Sequence, residues 1–205
     1  MHPWDVVRHE EASARLQFSH DPSRPGGASE WPFRYRTAIT YVLDEDGLAV
    51  TLTVENTDTR DQPVGCGFHP YMPREAGIRL GFSAQSVWHV GADSLPDARL
   101  PATGEWSFDP PRDVNATAID NCFNAWFGCA SLQWEATGRR LGICATPPFG
   151  HLVVFTPPGK PYIAVEPATN MTDAVNHRDV PDAGLRVLKP GESLTGRIAF
   201  ALSDT

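Results

Sequence analysis

The chain has 205 residues, of which 41% are hydrophobic and 20% charged, and a formal net charge of -8. That length and apolar content suit a single folded domain over residues 1–205 and argue against disorder. The acidic balance argues against nucleic acid or an anionic membrane as partner, since both need basic surface, and no run approaches the roughly 20 apolar residues that span a bilayer.

The N-terminus, Met1-His2-Pro3-Trp4-Asp5, has neither the basic nor the apolar region of a secretory signal, so a cytoplasmic location is expected. Residues 4–8 and 14–19 read as a first pair of strands, followed by a loop over residues 23–29. Residues 34–43 have strand composition. Residues 48–55 alternate, with Leu48, Val50, Leu52 and Val54 on one face. Asp44-Glu45-Asp46-Gly47 lies between these two runs, a strong hairpin signal. Further strands are predicted over residues 86–90, 131–134, 140–145, 151–156, 162–166 and 197–202. The 19 prolines and 17 glycines are scattered and break up helices, and no long segment shows apolar spacing of 3.6. The pattern predicts an all-β chain of antiparallel sheets, a sandwich.

Four cysteines are present: Cys66, Cys122, Cys129 and Cys144. None has C-x-x-C spacing, so no structural zinc site is expected. Free thiols are the simplest account, and the even count leaves disulfides open.

Two distant motifs carry the chemistry. One is Gly67-Phe68-His69-Pro70-Tyr71; the other is Val165-Glu166-Pro167-Ala168-Thr169, followed by Asp173-Ala174-Val175-Asn176. His and Glu can act as general acid and general base near neutral pH. Glu166 ends the apolar run 162–165, so partial desolvation should raise its pKa. Taken alone, each is an ordinary residue: a structural histidine, a solvated strand-end carboxylate. Asp120, alone, fits a turn or cap. Trp88, Trp126 and Phe68 are candidate aromatic faces for a ligand ring.

In order, Trp31-Pro32-Phe33, Tyr41-Val42-Leu43, Asp46-Gly47-Leu48, Glu55-Asn56-Thr57, the His69 motif, Asp120-Asn121-Cys122-Phe123, Val153-Val154-Phe155-Thr156-Pro157, the Glu166 motif and Leu188-Lys189-Pro190-Gly191-Glu192-Ser193-Leu194 resemble the aldose 1-epimerases, or galactose mutarotases. The resemblance implies an antiparallel β-supersandwich, galactose mutarotase-like, with a sugar cleft. It implies an isomerase that interconverts the α and β anomers of a free hexose such as galactose or glucose. Glu166 matches the base, His69 the acid and Asp120 a residue that binds sugar hydroxyls, with no cofactor and no metal. His69 and Glu166 are expected on one concave face, on opposite sides of the sugar.

Two departures accompany it. The family's upstream strands, with a His-Gly motif and an Arg before a Trp resembling Trp4, have no counterpart, so the fold reads as N-terminally shortened. Asp120-Asn121 replaces the commoner Asp-His. An exposed sheet edge near residues 4–19, or a homodimer that covers it, is therefore expected. Two other functions compete. One is a hexose-6-phosphate 1-epimerase, with Arg34, Arg36 and Arg74 as the nearest cations; the other is a non-catalytic carbohydrate-binding protein.

Overall fold

The structure, a computed structural model, describes residues 2–204. In chain order the strands are β1 (Asp5–His9), β2 (Ser13–His20), β3 (Tyr35–Asp44), β4 (Gly47–Asn56), β5 (Gln62–Val64), β6 (Tyr71–Pro73), β7 (Ile78–Phe82), β8 (Ser86–Val90) and β9 (Pro96–Pro101). They continue with β10 (Phe108–Asp113), β11 (Asp120–Asn124), β12 (Cys129–Trp134), β13 (Arg139–Ala145), β14 (His151–Phe155), β15 (Tyr162–Ala168), β16 (Arg186–Leu188) and β17 (Ser193–Asp204). The all-β prediction agrees with this. To the predicted 23–29 loop the structure adds one short helical turn, Gly27–Glu30.

The chain forms two compact units: Met1–Val64 with Arg186–Ala199, and Gly65–Leu185 with Phe200–Thr205. In the first, β1, β2, β3 and β4 lie side by side in chain order, the first part of β17 follows β4, and β5 pairs separately with β16. The β3–β4 hairpin is the one read from the sequence. Asp44 pairs with Gly47, and the Asp44 carboxylate accepts the amides of Asp46 and Gly47 at 3.0 and 3.2 Å. Gly47 has φ 130°, a conformation side chains resist. The strand β1 lies at the end of the order, with all five residues exposed and a bulge between Val6 and Arg8. Among the described residues, no strand covers its outer edge.

The second unit is a sandwich. One layer has the order β13-β12-β7-β10, with the end of β17 beside β13; the other has the order β6-β15-β14-β11-β8-β9. Between them lies one core. Ile78, Leu80, Phe82, Leu132 and Ile143 meet Phe123, Leu152, Val154, Ile163 and Val165, all buried. Phe82, Phe108 and Phe123 form an aromatic centre with ring centroids 4.6 to 5.7 Å apart, a geometry that adds to area burial. Strand side chains alternate between faces. With Val154, Ile163 and Val165 committed to the core, their neighbours Val153, Phe155, Ala164 and Glu166 are left for the opposite face.

Cys129 and Cys144 are direct partners across β12 and β13 and form a disulfide. Cys66 and Cys122 are free. The free-thiol expectation therefore holds for two of the four.

Candidate active site

The outer face of the second sheet is set by register. Asp120 opposes Phe155, Phe155 opposes Ala164, and Ala164 opposes Tyr71, so these four form one cross-strand row. Cys122, Val153 and Glu166 form the next row. Residues directly opposite point to the same face, so Asp120 and Glu166 share a face with β14 between them. Asn121 points the other way. It is buried, and its Nδ2 donates to the Trp88 carbonyl at 2.8 Å, which gives this departure from the family pattern a structural role.

His69 lies outside the strands, yet its position is tightly set. Gly67 bridges to Ala168, and the Phe68 amide donates to the Pro167 carbonyl at 3.0 Å. A Cβ on Gly67 would stand 3.2 Å from that carbonyl oxygen, a tight contact that a side chain could make only if the neighbouring strand yielded. The Phe68 ring packs on Phe149 at 5.4 Å. The next residue is thereby delivered beside β15, and His69 Nε2 lies 3.1 Å from Glu166 Oε1. The imidazole also rests against Tyr71, with centroids 4.5 Å apart and planes tilted by 31°. Tyr162 meets Tyr71 edge-on at 5.0 Å, and Phe155 stands edge-on to His69 at 6.5 Å.

The two groups differ in environment. The Glu166 side chain is 13% exposed and that of His69 50%. Burial, with the negative charge of Asp120 as a second cause, pushes the Glu166 carboxyl up to about 7. A carboxyl poised there can take or give a proton at neutral pH. The motifs alone suggest His69 and Glu166 on opposite sides of a bound sugar. The structure instead sets them side by side, because both hang on the Gly67–Ala168 contact.

Asp120 stands exposed at the start of β11. The three aromatic candidates do not form a platform. Trp88 is buried among Cys122, Met171, Ala174 and Ala183; Trp126 is buried with its Nε1 donating to Phe149 O; Phe68 packs on Phe149. The rings beside His69 are Tyr71 and Phe155 instead, with Tyr162 against Tyr71. Alternation along β15 puts Tyr162 on the face of Glu166, but only register adds Tyr71 and Phe155 to it. Asn176, from the second motif, donates to Asp173 Oδ1 at 2.6 Å within its own loop.

Arg74 is committed elsewhere. Its guanidinium donates to the carbonyls of Pro157, Val114, Asn115 and Thr117 at 2.6 to 3.0 Å. In the first unit, Arg34 pairs with Asp21 and Arg36 with Glu55. Burial pushes the Cys122 thiol up to about 12 and that of Cys66 to about 11, so neither is a ready nucleophile.

Comparison with known proteins identifies the family. A profile of the aldose 1-epimerase family matches residues 2–201. The uncharacterized protein YphB of Escherichia coli strain K12 is 28% identical, over 96% of this chain and 67% of its own length. The crystal structure of a candidate aldose 1-epimerase from Escherichia coli K12 superposes with TM-score 0.86 at 26% identity, covering 98% of this chain and 69% of that one. A galactose mutarotase-like protein from Clostridium acetobutylicum superposes with TM-score 0.83 at 20% identity, covering 98% and 67%. The chain thus spans about two thirds of the length of these relatives. With nearly all its residues matched, the chain belongs to the aldose 1-epimerase family.

Proposed function

We propose that the protein is an aldose 1-epimerase that interconverts the α and β anomers of a free hexose such as galactose or glucose. The observation that carries this reading is the 3.1 Å approach of His69 Nε2 to Glu166 Oε1, on a face shared with Asp120. Ring opening removes a proton from the anomeric hydroxyl and adds one to the ring oxygen. Both oxygens are bonded to the same carbon, so a base and an acid that serve them together must be neighbours. Side-by-side placement suits this better than opposite walls would.

Glu166, ionised, takes the hydroxyl proton while His69 gives its proton to the ring oxygen. The C–O bond breaks and the open aldehyde forms. Rotation about the C1–C2 bond presents the other carbonyl face, and the reverse transfers close the ring as the other anomer. Each turnover returns both protons, so no redox partner is needed. Asp120, across β14, accepts hydrogen bonds from sugar hydroxyls and holds the ring in place.

The phosphate-sugar alternative needs a free cation at the cleft, and the four carbonyl bonds of Arg74 remove the candidate nearest to His69 in sequence. The test is anomer interconversion, followed by polarimetry on D-galactose and D-glucose. Acceleration over buffer is expected. Folded protein with no acceleration would overturn the enzymatic reading, and sugar binding without acceleration would favour a carbohydrate-binding protein.

A further inference from the structure

A sugar that reaches both Asp120 and the His69–Glu166 pair must cross the middle strand. Asp120 is on β11 and Glu166 on β15, two strand spacings apart, or roughly 10 Å. What lies beneath that span is β14, and its site-face residues there are Phe155 and Val153, both half-buried; Val153 is packed against the cluster of Trp88, Cys122, Met171, Ala174 and Ala183, which leaves Phe155 to face the span. Neither side chain has a polar atom. Ala164, between Phe155 and Tyr71 in the row, is too small to block the ring. Phe155 is further held by the edge contact to His69 at 6.5 Å.

The underside of the sugar therefore meets only carbon. A hydroxyl turned onto that surface loses its water and gains no partner, which is costly. A C–H face gains by contact with the aromatic ring. We propose that Phe155 is the floor of the site and sets its specificity. The site takes free aldopyranoses that present an unbroken C–H face, as D-galactose does through C3, C4 and C5. It rejects epimers that turn an axial hydroxyl onto that face, as D-gulose does at C3. This rests on the acid–base reading of His69 and Glu166, since that reading fixes one end of the sugar.

The experiment compares wild type, Phe155→Leu and Phe155→Tyr, with folding checked by circular dichroism. Binding is read by calorimetry with methyl β-D-galactopyranoside, whose anomeric carbon is locked. Turnover is read with D-galactose and D-gulose. Phe155→Leu should raise both Kd and KM roughly tenfold, the scale of losing one aromatic contact, with kcat within about twofold. Phe155→Tyr should stay near wild type. Wild type should favour galactose over gulose in kcat/KM by at least about tenfold. If Phe155→Leu binds and turns over galactose like wild type, or if gulose is used equally well, the floor assignment falls while the acid–base reading stands. If binding depends on Phe155 but wild type shows no turnover, the floor stands and the acid–base reading falls. If wild type neither binds nor turns over the galactose probes, both fall.

Discussion

On the proposed mechanism Glu166 is the residue on which the chemistry turns, and two measurements isolate it. Glu166→Gln keeps the shape but cannot accept a proton, so turnover should fall at least about 100-fold, the lower end for losing a general base, with smaller change in sugar affinity. In wild type the base must be ionised, so kcat/KM should rise as pH rises through about 7. A flat profile between pH 5 and 9 would assign the base elsewhere. Stability should move in the other direction. The folded chain keeps this carboxyl protonated up to about 7, whereas the unfolded chain releases the proton near the ordinary 4.5. The folded state thus binds the extra proton in that window, and stability falls as pH rises from about 4.5 to about 7, then levels off. The loss is on the order of 3 kcal/mol. Glu166→Gln should flatten this slope in urea unfolding. His69 and Glu166 both stand in motifs that the sequence singles out. Their adjacency is not legible there, because it depends on where Gly67 meets Ala168, a pairing no local pattern announces.

Among the elements, legibility followed apolar runs more than alternation: β7 alternates cleanly yet is not among the predicted strands. The β3–β4 hairpin, β14 and β15 have apolar runs bounded by turn residues, and these are readable in the sequence. The strands β9, β10 and β11 are not. Pro96, Pro101, Pro110 and Pro111 sit in β9 and β10, and proline weakens a strand signal. Asp120-Asn121-Cys122-Phe123-Asn124 is rich in residues that strands disfavour. Without β11 the far wall of the site stays hidden, and with it the reason for Phe155 to be a floor. The β12–β13 pair adds a covalent tie with a sequence separation of 15. Serine at both Cys129 and Cys144 should lower stability by about 3 kcal/mol on the chain-entropy account of a loop that size, with turnover little changed. Urea midpoints compared with and without reductant would check it. A wild type indifferent to reductant would show that the tie contributes nothing.

For the whole molecule, association can begin at the exposed edge of β1. Val6 and Val7 are 65% and 55% exposed, and an unpaired edge invites another strand. We expect sedimentation to show concentration-dependent self-association that lysine at both positions abolishes. A wild type that stays monomeric at high concentration would mean that the bulge between Val6 and Arg8 already keeps strands away.

The small clasp of β5 and β16 has a consequence in time. Val64 pairs with Arg186, so the chain leaves the first unit and re-enters it at neighbouring points, after the whole of residues 65–185. Asn56 likewise meets this returning segment, its amide bonding Glu192 O at 2.9 Å and its Nδ2 bonding Leu188 O at 2.8 Å. None of these contacts can form before residues 186–192 have been synthesised. The first unit, although its strands emerge first, must therefore wait with β4 unpaired on one side. Contacts of such long sequence separation fold slowly, on the order of milliseconds to seconds. During synthesis the half-made first unit is the part a chaperone would meet.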